Sequence, residues 1–130
     1  KKNNNKTGKG KMKTQMANEL SGDVDVCALT DLTEDAGTAA LVNDMQIALF
    51  YIKKLDQVFA ISNYDPFSEA NVLSRGIVGS LGEQLVVASP IYKQHFNLVT
   101  GQCVEDEKVS IAVYPTKIVQ GRVVVMDSCA

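Results

Sequence analysis

Thr38-Ala39-Ala40-Leu41-Val42-Asn43-Asp44-Met45-Gln46-Ile47-Ala48-Leu49-Phe50-Tyr51-Ile52 is two apolar runs joined at Asn43-Asp44. Asparagine and aspartate tolerate the backbone geometry of a tight hairpin turn, so the stretch predicts strands over 38–42 and 45–52. Lys53, Lys54 and Asp56 mark the next turn, and 57–62 reads as the following strand. Upstream, near-alternating apolar positions predict a first strand over 24–29, with a polar turn around Asp31, Glu34, Asp35 and Gly37.

Downstream the rhythm breaks. Residues 63–83 form a polar stretch punctuated by Pro66, Gly76, Gly79 and Gly82. A loop of that length inside a domain is usually functional or holds a short helix. Strands are expected again at 85–88, 95–99, 109–113, 116–119 and 122–126, with a loop over 90–94 and turns at Thr100-Gly101 and Gln120-Gly121. Glu105, Asp106 and Glu107 read as a solvated acidic loop. No long stretch carries a 3.6-residue apolar period. The fold class is all-β, a sandwich or partly open barrel of short antiparallel strands.

At 130 residues, with 45% hydrophobic and 22% charged side chains, the chain fits one packed domain. No apolar run approaches the ~18 residues of a membrane span, and no secretory signal opens the chain. The expected location is the cytoplasm, with no membrane partner. Residues 1–20 hold six lysines against Glu19 alone, whereas the other 110 hold seven basic and fourteen acidic side chains. Residues 1–21 therefore read as a disordered basic tail and 22–130 as the domain. A nucleic-acid arm is the sharper alternative for the tail, but the acidic remainder would repel phosphate, so no nucleic-acid partner is expected. A cloning remnant or dispensable leader, with Met12 or Met16 as the natural start, fits better.

The residues that could carry chemistry are few. His95 is the single histidine, and Ser89 lies six positions before it without a Gly-x-Ser-x-Gly elbow. Cys27, Cys103 and Cys129 are widely spaced and form no Cys-x-x-Cys pair, so they read as buried or idle thiols. Gly8-Lys9-Gly10-Lys11 lacks the remainder of a phosphate loop, and Asp23 and Asp25 do not continue into a calcium loop.

One constellation is specific. Ser89-Pro90-Ile91-Tyr92 is followed by Phe96 and then Thr100-Gly101. This frame resembles the second cluster-binding loop of Rieske iron–sulfur proteins, Cys-Pro-x-His followed by Phe and Thr-Gly. Asn63-Tyr64-Asp65 sits where the Rieske Cys-x-His would stand, and Pro115 to Val125 resembles that family's closing hairpin. A Rieske centre needs two thiolates on one iron and two imidazoles on the other. The four positions here carry Asn63, Asp65, Ser89 and Tyr92.

Three longer stretches, 61–68, 71–79 and 88–96, closely resemble the small subunit of cytoplasmic NAD(P)H-dependent nitrite reductase, and the likeness runs over about 24–126. The resemblance implies a non-catalytic subunit with no cofactor, metal or catalytic residue of its own. Its implied partner is a large subunit that carries flavin, sirohaem and an iron–sulfur cluster and reduces nitrite to ammonium. Partner contact is then expected at the old cluster tip: Tyr64, Asp65, Phe67, Tyr92, Lys93, Gln94 and His95. Equally open is that Tyr64, Phe67 and Tyr92 pack into the space a cluster would fill. Two further readings remain: a regulatory or scaffold module of another oxidoreductase, and an electron carrier with ligands displaced to Cys27, Cys103, Cys129 and His95.

Overall fold

The turn at Asn43-Asp44 forms as its residue types require, both with positive φ, 49° and 68°. The structure is a computed structural model and describes residues 23–126. The basic tail and Cys129 lie outside the described residues. The turn joins β2 (Gly37–Val42) to β3 (Met45–Ile52), which pairs in turn with β4 (Gln57–Ser62). β10 (Val113–Tyr114) completes a four-stranded antiparallel sheet in the order β10-β4-β3-β2.

A second sheet has the order β1-β12-β11, from β1 (Val24–Ala28), β11 (Thr116–Val119) and β12 (Arg122–Val125). Its β11–β12 turn at Gln120-Gly121 again uses two positive-φ residues. A third sheet is β7 (Ile77–Leu81), β8 (Gln84–Ala88) and β9 (His95–Asn97) in that order. β5 (Tyr64–Asp65) and β6 (Ala70–Asn71) form a small ribbon between the first and third sheets in the chain. Single-turn 3-10 segments, three residues each, occur at Leu29–Asp31, Lys53–Leu55 and Leu73–Arg75. The architecture is all-β, with short antiparallel strands in layers.

β3 is the axis of the core. Every residue from Ile47 to Ile52 is buried, so both faces of the strand are covered. Because successive strand side chains point to opposite faces, the run splits in two. Ile47, Leu49 and Tyr51 join Val58, Ala60, Val123 and Val125 under the second sheet. Ala48, Phe50 and Ile52 join Ile61, Leu73, Val87, Phe96 and Leu98 toward the third.

Two sequence expectations need correction. Residues 63–83 are not one loop, because β5, β6 and β7 lie within them. The expected strand over 109–113 shrinks to an isolated bridge between Ser110 and Gln102 and the start of β10. Thr100-Gly101 is a turn as expected, with a strict reason for the glycine. Its φ is +82°, and a Cβ there would lie 2.1 Å from the Ile111 carbonyl oxygen. No helix among the described residues is long and apolar enough to cross a membrane.

Candidate functional site

Two loops meet beyond the ends of β4 and β8. The first runs from Asn63 through β5 and β6 to Ser74, and the second from Ser89 to His95. Asn63 is 2% exposed, Asp65 0% and Ser89 1%, and these are the only buried polar side chains among the described residues. Burying such groups costs stability unless each finds partners. Each does.

Asn63 closes the first loop on itself. Its Oδ1 accepts the Ser74 N–H at 2.7 Å, and its Nδ2 donates to the Asn71 carbonyl at 3.3 Å. Asp65 is the hub. Its Oδ1 accepts the Phe67 N–H at 2.9 Å, and its Oδ2 accepts the Ser68 hydroxyl at 2.9 Å and the Ser89 hydroxyl at 2.5 Å. Burial pushes the Asp65 carboxyl up, but hydrogen bonds from Ser89, Phe67 and Ser68 outweigh it and hold the group below the usual aspartate range.

Ser89 organises the second loop in turn. Its Oγ accepts the Ile91 N–H at 3.3 Å, its carbonyl accepts the Lys93 N–H, and its N–H donates to the Gln94 carbonyl. Lys93 sits at φ 69° and Glu69 in the first loop at 58°, two non-glycine residues in the left-handed region. The Gln94 side-chain oxygen is buried with no hydrogen-bond partner.

Above this buried layer the surface is apolar. Tyr64 is 43% exposed, Ile91 47% and Tyr92 61%. Phe67 differs from them. It is half-buried and packs its ring against buried Phe96 at a centroid distance of 6.1 Å. The side of the tip is fastened by His95, whose N–H donates to Glu105 Oε1 at 2.8 Å and whose Nδ1 lies 2.6 Å from Glu105 Oε2. Burial raises the Glu105 carboxyl, and the His95 backbone and ring bonds more than reverse this.

The structure thus sorts the expected contact residues. Tyr64, Tyr92 and Lys93 are exposed, while Gln94 and His95 are half-buried. Asp65 was expected at the surface and is instead fully buried, since a carboxylate with three donors is held better inside than facing water. Glu105 is exposed in its acidic loop, as expected, and also pairs with His95. Ser89 and His95 serve different carboxylates, so they form no nucleophile–base pair with each other. Ile91 escaped the sequence reading, although its place between Pro90 and Tyr92 on a polar-flanked loop pointed to exposure.

Comparison with known proteins fixes the family. The model of the Rieske-like [2Fe-2S] domain matches residues 24–126. The solved nitrite reductase NAD(P)H small subunit from Erwinia carotovora superposes with a TM-score of 0.71 at 45% identity, covering 83% of each chain. The ferredoxin of carbazole 1,9a-dioxygenase from Nocardioides aromaticivorans shares the fold, with a TM-score of 0.70 at 24% identity over 81% of this chain and 97% of its own.

The family match overturns the expectation that this chain has no cofactor, because the matching family is described by its 2Fe-2S centre. The residues at the four ligand positions can be tested against such a cluster. Asn63, Asp65, Ser89 and Tyr92 offer neither thiolate nor imidazole; Asp65 and Ser89 already bond each other, and Asn63 bonds the loop backbone at Ser74 and Asn71. That set does not fit a Rieske cluster.

A segment of the nitrite reductase NAD(P)H large subunit from Klebsiella oxytoca is 40% identical over 98 residues, 75% of this chain and 10% of that protein. The nitrite reductase (NADH) small subunit of Escherichia coli K12 is 46% identical over 97 residues, 75% of this chain and 90% of its own. The chain belongs to the family of nitrite reductase (NADH) small subunits, components of an oxidoreductase, built on a Rieske-like domain.

Proposed function

We propose that this chain is a non-catalytic subunit that docks, through the tip formed by Tyr64, Ile91, Tyr92 and Lys93, on the large subunit of an NAD(P)H-dependent nitrite reductase in the cytoplasm. In that role it supports reduction of nitrite to ammonium without supplying a reacting group. The observation that carries the reading is the tip itself: exposed aromatic and aliphatic side chains on loops joined by the buried Asp65–Ser89 hydrogen bond. Rigid loop aromatics supply contact area at low entropic cost and are enriched among residues that dominate binding.

Two further observations support it. The candidate nucleophile and base are committed to structural bonds, Ser89 to Asp65 and His95 to Glu105. The Klebsiella relative carries a homologous segment inside a large-subunit chain, so there the two parts share one polypeptide.

The test is reconstitution. Purified large subunit is assayed for nitrite-dependent NAD(P)H oxidation with and without this chain, and the mixture is passed over a sizing column. Co-elution and a rise in turnover are expected. Separate elution with unchanged turnover would refute the proposal.

A further inference from the structure

Whatever else the tip does, its two halves must hold a fixed relation, because Tyr64 stands on the first loop and Ile91 and Tyr92 on the second. Asp65 and Ser89 are the residues that join them. The Asp65 carboxylate gathers its own loop through Phe67 N–H and the Ser68 hydroxyl, and crosses to the other loop through the Ser89 hydroxyl at 2.5 Å. Ser89 passes that anchorage on through the Ile91 N–H, immediately before Tyr92. Tyr64 is the residue immediately before Asp65. The exposed side chains on both loops are therefore placed by neighbours that share one hydrogen bond.

Stability alone does not explain a carboxylate at this place. A buried charge with good partners is at best about as stable as well-packed apolar side chains of the same volume. What a bonded polar network adds is a single geometry, since an apolar contact tolerates sliding and a carboxylate with three fixed donors does not. The two loops also hold residues in the left-handed region, Glu69 and Lys93, a conformation that persists only where the surroundings fix it. Both lie within four residues of the Asp65–Ser89 bond.

We infer that Asp65 and Ser89 are positioning residues, a carboxylate–hydroxyl lock that sets Tyr64, Ile91 and Tyr92 in the arrangement the large subunit recognises. The inference rests on the docking role proposed above and deepens it: recognition depends on a buried bond that the partner never touches. Asp65 is wholly inside, so its effect reaches the partner only through the exposed residues.

The experiment is a double-mutant cycle on binding to the nitrite reductase large subunit, using the full chain as wild type, Ser89→Ala, Tyr92→Ala and the pair. Asp65→Asn is the second lock variant, in case Ser89→Ala fails to fold. Ser89→Ala should weaken binding by about tenfold with a melting temperature only a few degrees lower. In the Tyr92→Ala background the same change should weaken binding by clearly less than about tenfold, because one of the three residues the lock positions has already been removed. Equal losses in both backgrounds would overturn the positioning role, since a general loss of structure adds independently. Unchanged binding by Ser89→Ala, with Tyr92→Ala weakened, would overturn the lock and leave the docking tip standing. Unchanged binding by both would remove the tip from the interface and the lock with it. Unfolding of both Ser89→Ala and Asp65→Asn would show the bond to be structural only and would likewise overturn it.

Discussion

The centre of the sheet and the polar layer beneath the tip are both buried and are built on opposite principles. Along β3 six successive buried side chains fill space on two faces, and of these only Tyr51 is tied by a side-chain hydrogen bond, its hydroxyl donating to Asp56 Oδ1 at 3.0 Å. At the tip Asn63, Asp65 and Ser89 are buried just as deeply, yet each is placed by named donors and acceptors. Apolar packing supplies most of the folding energy and tolerates small shifts. The bonded layer supplies less energy and more precision, and it lies under the exposed side chains of Tyr64, Ile91 and Tyr92. The division of labour is that the sheet makes the domain stable and the tip network makes its surface definite.

The comparison can be broken most forcefully from the core side. Phe50→Ala and Phe96→Ala each remove a fully buried ring and should cost about 3–5 kcal/mol by denaturant unfolding. A loss below about 1 kcal/mol for either would show that the third sheet is not packed against β3 as described. Gly101→Ala should follow at about 2–3 kcal/mol, because it combines a left-handed φ with a Cβ facing a backbone carbonyl.

Acid sharpens the contrast at the tip. The folded pKa of Asp65 is depressed, so its stabilising contribution is full above the ordinary value of 3.8 and is lost as pH falls through the lower folded value. Asp65→Asn should therefore melt below the wild type at neutral pH, and the gap should narrow as pH drops beneath about 4. Parallel melting curves across that range would mean that the carboxylate is not held by its three donors. Glu105, also depressed, contributes in the same direction in both proteins and leaves the difference to Asp65. Smallest is Lys93→Glu, an exposed change that should shift unfolding by less than about 0.5 kcal/mol while weakening association with the large subunit. Denaturant melts and a binding titration check the two halves of that expectation.

Much of the sheet was legible because its turns carry residues with one conformational purpose. Asn43-Asp44 and Gln120-Gly121 bound β2, β3, β11 and β12 at the expected positions. β7 was hidden for a physical reason. Ile77, Gly79 and Leu81 are all exposed along one face, so no alternation of apolar and polar residues announces an edge strand, and glycines at 76, 79 and 82 imitate a loop. The opposite error arose at 109–113, where alternating apolar residues found a bridge at Ser110 and only Val113 joins a strand. At the site, the spacing of Asn63, Asp65 and Ser89 located the loops correctly. Their burial did not follow, because carboxylates are rarely inside unless paired. The clue was Ser89, which the ligand frame set opposite Asp65, with Ser68 three residues along the chain as a second hydroxyl.

Amide hydrogen exchange of the full chain, free and saturated with the nitrite reductase large subunit, tests the central claim most directly. The account predicts new protection in the segments around Tyr64 and around Ile91 to Lys93, with the amides of β2, β3 and β4 unchanged because they are already closed. New protection confined to the outer faces of β11 and β12 or to the β7 edge, with both tip loops exchanging as in the free chain, would contradict it.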